Sequence, residues 1–569
     1  MKRGLPILAL VLLVVWPARA VSYLPSWNAT EQKAWWARNP TPDLWPKAAA
    51  DLQAQLEADY KMNGARAFAD SDFQAWFDHL VWIRLGIENP AAIQIPADLA
   101  TFIRLGQDGA VSHLLVEKLT PEDDANAALK NVLRLAAANP ADLHEYAALG
   151  VAFSLVFDGP FPDDWPHSQV EHSAVPIGDV DVVKRFQFYV QSNRDHKLDE
   201  DPTRLSFDNL KYLVDSEVSL SELTYAQANR VSLSQFGDAF FSIQYDESRI
   251  QGAQQQYVWP GASYLLADIL GKGGICIDQA YYAAMIGKGR GIPTIRFTGF
   301  GIDSAHAWFG FLSNSGKWEL DCGRYQSQAY PKGFAVDPQT WKPIDDSVLQ
   351  YLFKNSARDP SFQPAMAALA WARLHRDTPA YGKILDDAKS IMPEWSGTWR
   401  LQAERVDKAS DLDAKKKFYQ GWIDQLGKYP DLKVEGQKRL YHALKAANDP
   451  DAESVLKDII VQNRDEGFDL GIGAASEELH DKLKSQDWDE AKTVFEHALR
   501  DFGGSGGLTF FKEVVHPYIQ SCIDAGKLDD AQRAIRSTQD RMTIDPASQV
   551  GTRFAQLKDE LEDKKAASR

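Results

Sequence analysis

Residues 271–322 read GKGGICIDQAYYAAMIGKGRGIPTIRFTGFGIDSAHAWFGFLSNSGKWELDC. A glycine-rich turn, Gly271-Lys272-Gly273-Gly274, leads into a predicted helix from Cys276 to about Gly287. Gly291-Ile292-Pro293 then opens Thr294 to Phe300, which reads as a strand. Ala305 to Leu312 reads as a second strand. Ser313-Asn314-Ser315-Gly316 carries the signal of a hairpin turn, and Lys317 to Cys322 reads as a third strand. A helix followed by antiparallel strands predicts an α+β domain.

The same stretch concentrates reactive side chains: Cys276, His306 and Asp321 fall within 46 positions. A thiolate is the nucleophilic form of cysteine. Cys276 follows Gly273-Gly274 at a helix start, where unpaired N–H groups and the helix dipole favour a negative sulfur. The glycines also let a substrate backbone come close. His306 is the candidate base that ionises Cys276 and then the acid that protonates the leaving amine. Asp321 is the candidate that orients the imidazole. On the second strand His306, Trp308 and Gly310 share a face, and Asp321 lies across the turn, so His306 and Asp321 are expected as cross-strand neighbours. Alternation turns Cys322 away from Asp321, which disfavours a Cys276–Cys322 bridge. A Cys322–Cys522 bridge stays open. The backbone N–H of Cys276 is one candidate oxyanion donor, with Gln256 or Trp259 as candidates for the second.

Four pieces occur here in order: Gly273-Gly274-Ile275-Cys276-Ile277-Asp278-Gln279-Ala280, Gly291-Ile292-Pro293, His306-Ala307-Trp308 and Trp318-Glu319-Leu320-Asp321. Together they resemble the core of the transglutaminase-like superfamily, over roughly residues 255–330. The resemblance implies a papain-like site on a helix packed against an antiparallel sheet, with Cys276 as nucleophile, His306 as base and Asp321 as orienter. One departure stands out. Family members often continue Asp-Pro-Thr, whereas Asp321 is followed by Cys322-Gly323-Arg324.

The chain has 569 residues, far more than the roughly 250–300 that one core supports. Residues 21–158 carry helical periodicity. Gly159 to Pro176 is a break holding four prolines. Residues 177–345 form the expected α+β domain, with a short strand candidate at Phe186 to Val190 and a charged loop at Asp195 to Asp201. Helices are expected from Phe207 to Leu213 and from Ser221 to Asn229. Residues 360–569 are helical again. There, Asp487-Trp488-Asp489-Glu490-Ala491 and Lys527-Leu528-Asp529-Asp530-Ala531 repeat at a spacing of 40. Helix-hairpin arrays of the tetratricopeptide type repeat at about 34, so a non-repeating bundle is the alternative.

Lys2, Arg3, the apolar run Leu5 to Trp16 and the small-x-small triplet Ala18-Arg19-Ala20 read as a signal peptide, residues 1–20. The expected location is periplasmic or secreted. No cysteine follows the apolar run to take a lipid anchor, and no later segment is apolar enough to predict a membrane span. Net charge is −17, or −20 without residues 1–20, which argues against nucleic acid as a partner. Three cysteines are too few for a disulfide framework. The 17 tryptophans read as packing residues, and so do Trp395 and Trp399. His167, Glu171 and His172 are one residue off an inverted zincin spacing and lie in a proline-rich stretch, so no metal is assigned. Asn193, Asp195, Asp199 and Asp201 lack the glycine of a calcium loop and read as a solvated acidic loop. No cofactor is expected.

These features predict an exported thiol enzyme that acts on a peptide or carboxamide bond through a thioester, with water as the acceptor and a protein or peptide as substrate. Two alternatives stay open: lysine-dependent crosslinking by the same site, and a non-catalytic scaffold whose helical regions bind a protein partner.

Overall fold

In the Cys276–Gly289 helix every residue except Ile277 is buried. A helix that is apolar nearly all round belongs inside a domain, and here it lies across the first two strands of a sheet. The computed structural model describes residues 24–178, 180–229, 231–251, 263–300, 305–324, 333–344, 346–355, 359–465 and 467–567. The leader at residues 1–20 and the oxyanion candidates Gln256 and Trp259 lie outside the described residues.

The sheet has five antiparallel strands: β1 (Thr294–Phe300), β2 (Ala305–Leu312), β3 (Trp318–Cys322), β4 (Gly333–Asp337) and β5 (Lys342–Ile344). Their order is β3-β2-β1-β4-β5. The Ser313–Gly316 turn closes the β2–β3 hairpin, with Ser313 N–H donating to Lys317 C=O at 2.8 Å. With helices on both sides in sequence, the class is α+β. β4 and β5 were not anticipated from sequence, being short pieces whose alternation spans too few residues to register.

One expected strand is a helix. Phe186 to Val190 lies within the helix Val182–Arg194. Val182, Phe186, Tyr189 and Val190 are buried at helical spacing, and the Asp181 carboxylate caps the start by accepting from Val183 and Lys184 N–H. A window of five residues was too short to tell the two periods apart. The helices Phe207–Val214 and Leu220–Ala228 match their expected places.

N-terminal helices from Ala29–Arg38 to Ala147–Val156 pack around Trp35, Trp36, Trp45, Trp76 and Trp82. The largest core runs continuously from Leu24 to Ala388. It therefore includes the helices Phe362–Leu374 and Tyr381–Ile391, which close back on the N-terminal helices. Trp371 meets Phe77 with ring centres 5.4 Å apart, and Tyr60 donates its hydroxyl to Asp387 at 2.6 Å. Beyond Ile391 the helices pack on their chain neighbours around smaller cores, with Trp399 buried against Trp422. The two repeated pentapeptides have the same turn. Asp487 N–H donates to Lys482 C=O at 2.9 Å and Lys527 N–H to Cys522 C=O at 2.8 Å. The residues just before them, Gln486 and Gly526, have φ of 59° and 72°.

One packing detail has a pH consequence. His79 is 1% exposed, its two ring nitrogens have no hydrogen-bond partner among the described residues, and the rings of Trp27, Trp35, Trp36 and Trp76 surround it at 4.4–6.0 Å. Burial lowers its pKa to about 3, with the His113 charge adding to that. The unfolded chain takes up this proton near pH 6.5, so stability is lost as pH falls from about 6.5 toward 3, at up to ~1.4 kcal/mol per pH unit from this group. We predict that His79→Phe flattens the fall in urea midpoint between pH 7 and 4. An unchanged slope would show that His79 already carries its proton in the fold.

Candidate functional site

Cys276 is the first residue of its helix, and its start is fixed by Asp278. The Asp278 carboxylate accepts from the Ile275 N–H at 2.8 Å, from Arg249 at 2.7 Å and from the Tyr264 hydroxyl at 2.6 Å. Tyr264 spends its only proton on Asp278, so His167 Nε2, 2.8 Å from that hydroxyl, is the donor there. Gly273 meets this start with φ of 88°, and a Cβ on it would lie 2.5 Å from the Gln244 carbonyl. The neighbouring peptide pairs with residues 244–246 through Gly274 N–H and C=O, both at 2.9 Å. Gly273 and Gly274 thus serve an internal backbone approach.

Cys276 is 9% exposed. Burial pushes its pKa up to about 11, against the N–H groups of Ala307, Ile277 and Cys276 itself, which favour the thiolate. The nearby Asp278 carboxylate adds to the rise. This reverses the lowering expected at a helix N-terminus: the dipole and three N–H groups recover less than the sulfur loses by leaving water.

β2 brings the residue next to His306 to the thiol: Ala307 directs its N–H at the Cys276 sulfur. The imidazole is buried between the rings of Phe240 and Trp308, with centres 6.3 and 6.0 Å away. Its Nε2 lies 2.8 Å from the Gly323 carbonyl oxygen. A carbonyl only accepts, so Nε2 carries the proton and the lone pair of the neutral ring is on Nδ1. Burial lowers the His306 pKa, and the Gly323 carbonyl opposes that. At neutral pH the thiol and the imidazole are both uncharged.

Asp321 does not meet His306. Its side chain is 70% exposed and pairs with Arg324 at 2.8 Å. The cause is a bulge in β3. Phe311 faces Glu319 but Phe309 faces Cys322, so one extra residue is inserted opposite Gly310. The insertion shifts every later residue by one place. Asp321 is left on the solvent side, Cys322 turns into the core, and the Gly323 carbonyl arrives where the carboxylate was expected. Gly323 has φ of 86°, and a Cβ there would press within 2.7 Å of the Phe240 ring. A backbone acceptor has no side-chain signature, so Gly323 was invisible to motif reading. Asp278 and Tyr264 were also missed. An acidic residue at the third position of a helix, three past the capping residue, is the signal that could have found Asp278.

The other cysteines stay apart from this chemistry. All three are free thiols. Burial raises the Cys322 pKa to about 12, helped by Glu319 and Asp321, and raises that of Cys522, in the helix His516–Asp524, to about 11. His167 is buried in its bond to Tyr264 while His172 is exposed, and no group of three metal-ligating side chains occurs among the described residues. Asp199 binds Arg290 at 2.6 Å, Asp195 binds Lys197 at 2.9 Å and Asp201 accepts from Asn193 at 3.1 Å, so the acidic loop is tied to protein partners. No helix among the described residues is long and apolar enough to cross a membrane. Comparison with family models, with curated proteins and with solved structures returns no match.

Two results follow for Cys276 alkylation by iodoacetamide, resolved from Cys322 and Cys522 by peptide mass spectrometry. The rate climbs with an apparent pKa above the ordinary thiol value of about 8.5. Asp321→Asn changes it less than about twofold, since an exposed ion pair contributes little. A profile levelling off below pH 8, or a large Asp321→Asn shift, would place the carboxylate at the imidazole after all.

Proposed function

We propose that this chain is an exported thiol enzyme that hydrolyses a peptide or carboxamide bond through a thioester on Cys276, on a transglutaminase-like core. The reading is supported by a buried thiol at a helix N-terminus that receives the N–H of Ala307, the chain neighbour of His306, whose neutral imidazole holds its lone pair on Nδ1. Export rests on the leader pattern at residues 1–20.

The chemistry is base-assisted, because the thiol keeps its proton at neutral pH. As Sγ attacks the carbonyl carbon, its proton passes to His306 Nδ1. The oxyanion is met by the Cys276 N–H. Collapse breaks the C–N bond, and the imidazolium returns its proton to the departing amine or ammonia. Water then attacks the thioester carbonyl and gives a proton to Nδ1. The C–S bond breaks, and the sulfur recovers that proton. The Gly323 carbonyl holds the Nε2–H throughout and stabilises the transient imidazolium. Asp321 has no part in these steps. A lysine amine in place of water would give a crosslink.

One observation favours the non-catalytic scaffold: the thiol pKa is raised, not lowered. The deciding assay is amine or ammonia release from a panel of peptides and carboxamides, with hydroxylamine to trap the thioester. Cys276→Ala and His306→Ala each lower kcat/KM by at least about 10³-fold. If the intact protein releases no amine and forms no hydroxamate across the panel, the enzyme reading falls and the scaffold stands.

A further inference from the structure

Met366, Ala370 and Arg373 recur at helical spacing in the helix Phe362–Leu374, which puts them on one face. That face, Phe77 and Asp78 of the helix Ser71–Glu88, and Val116 of the helix Ala110–Lys118 line one cavity of about 200 Å³. The short Ala370 side chain leaves the space between the helices unfilled. At about 30 Å³ per water, the cavity holds about six or seven waters, the bulk of one amino acid with an aliphatic side chain.

The wall carries both signs of charge. The Asp78 side chain is 25% exposed and accepts no hydrogen bond among the described residues. His113 Nδ1 is 3.8 Å from it, too far for a hydrogen bond, and burial pulls the His113 pKa down to about 4, so that ring is neutral. Burial raises the Asp78 pKa well above the usual carboxylate value, and the Glu117 charge adds to that. A cation beside Asp78 reverses that rise. Glu117, also on the wall, is already held by Lys118 at 3.1 Å and by Gln363 at 3.0 Å. Arg373 is exposed, and among the described residues it makes no hydrogen bond or ion pair, with Asp78 or any other acid. Glu122 and Asp123 act on it from beyond ion-pair range, and each has another partner, Lys342 at 3.3 Å and Gln339 at 2.9 Å. A ligand of one sign meets a like charge on this wall, a cation at Arg373 and an anion at Asp78 and Glu117. A ligand with both signs, separated by a carbon, meets opposite charges at each.

We propose that this cavity binds a free amino acid with an aliphatic side chain: its ammonium at Asp78, its carboxylate on the Arg373 guanidinium, and its side chain against Phe77, Val116 and Met366. None of the lining residues belongs to the Cys276 helix or the sheet, so the inference does not rest on the thiol chemistry. The occupant joins the helix Phe362–Leu374 to the helices that precede the sheet.

Equilibrium dialysis of radiolabelled leucine against the full chain, at pH 7 and fixed ionic strength, tests this. Leucine binds with a Kd below about 1 mM. Isocaproate, which is leucine without its ammonium, and isoamylamine, which is leucine without its carboxylate, compete at least about tenfold more weakly. Asp78→Asn weakens leucine at least about tenfold and removes its advantage over isocaproate. Arg373→Gln weakens it as much and removes its advantage over isoamylamine. Both variants keep the Cys276 alkylation rate within about twofold, which reports an intact fold. Arg373→Gln changes an exposed side chain, so it decides the matter alone if Asp78→Asn unfolds. No saturable leucine binding up to about 10 mM, an analogue that competes as well as leucine, or leucine affinity that survives Arg373→Gln overturns the site.

Discussion

A helix buried on nearly every side must neutralise the charges it carries, and the Cys276–Gly289 helix carries one at each end. Asp278 is met by Arg249 and Tyr264 near the start, and Lys288 by Asp215 and the carbonyls of Tyr212 and Thr294 near the end. Breaking one such buried pair costs about 3–5 kcal/mol. These contacts tie the helix to segments between residues 212 and 294. They fix its position over β1 and β2, and the position of the thiol with it. Arg290, just past its end, extends the same network to Asp199.

Burial sets the chemistry as well as the position. Charge is disfavoured at both members of the site, so the thiol pKa goes up and the imidazole pKa goes down. The two shifts separate the groups further in the resting state. The resting state is therefore uncharged, and charge develops only when a substrate carbonyl accepts the sulfur. At that moment the Gly323 carbonyl becomes useful, because an oriented dipole stabilises the new imidazolium at no reorganisation cost.

The helical regions do not hang off this centre as separate beads. Trp371, Tyr60 and Asp387 join the helices after the sheet to those before it, so the core around the site is continuous with both. Farther on, the helical hairpins contact mainly their chain neighbours. That arrangement makes their stability local and leaves long faces exposed to solvent.

The sequence by itself determined the local elements around the thiol. Gly273-Gly274 punctuates one end of the helix, although Gly271 and Lys272 end the preceding helix Leu266–Lys272 rather than forming a turn. Gly291-Ile292-Pro293 marks the other end and Ser313–Gly316 closes the hairpin, so β1, β2 and the Cys276 helix were legible to within a residue or two. These signals are short-range, set by which residues tolerate a turn. The tertiary structure alone decided which groups meet. One inserted residue in β3 moved Asp321 to solvent and brought the Gly323 carbonyl to His306, because side chains alternate and a slip of one reverses all that follow. It also decided the charge state of Cys276, since desolvation depends on everything packed around the sulfur, and no spacing of motifs encodes that sum.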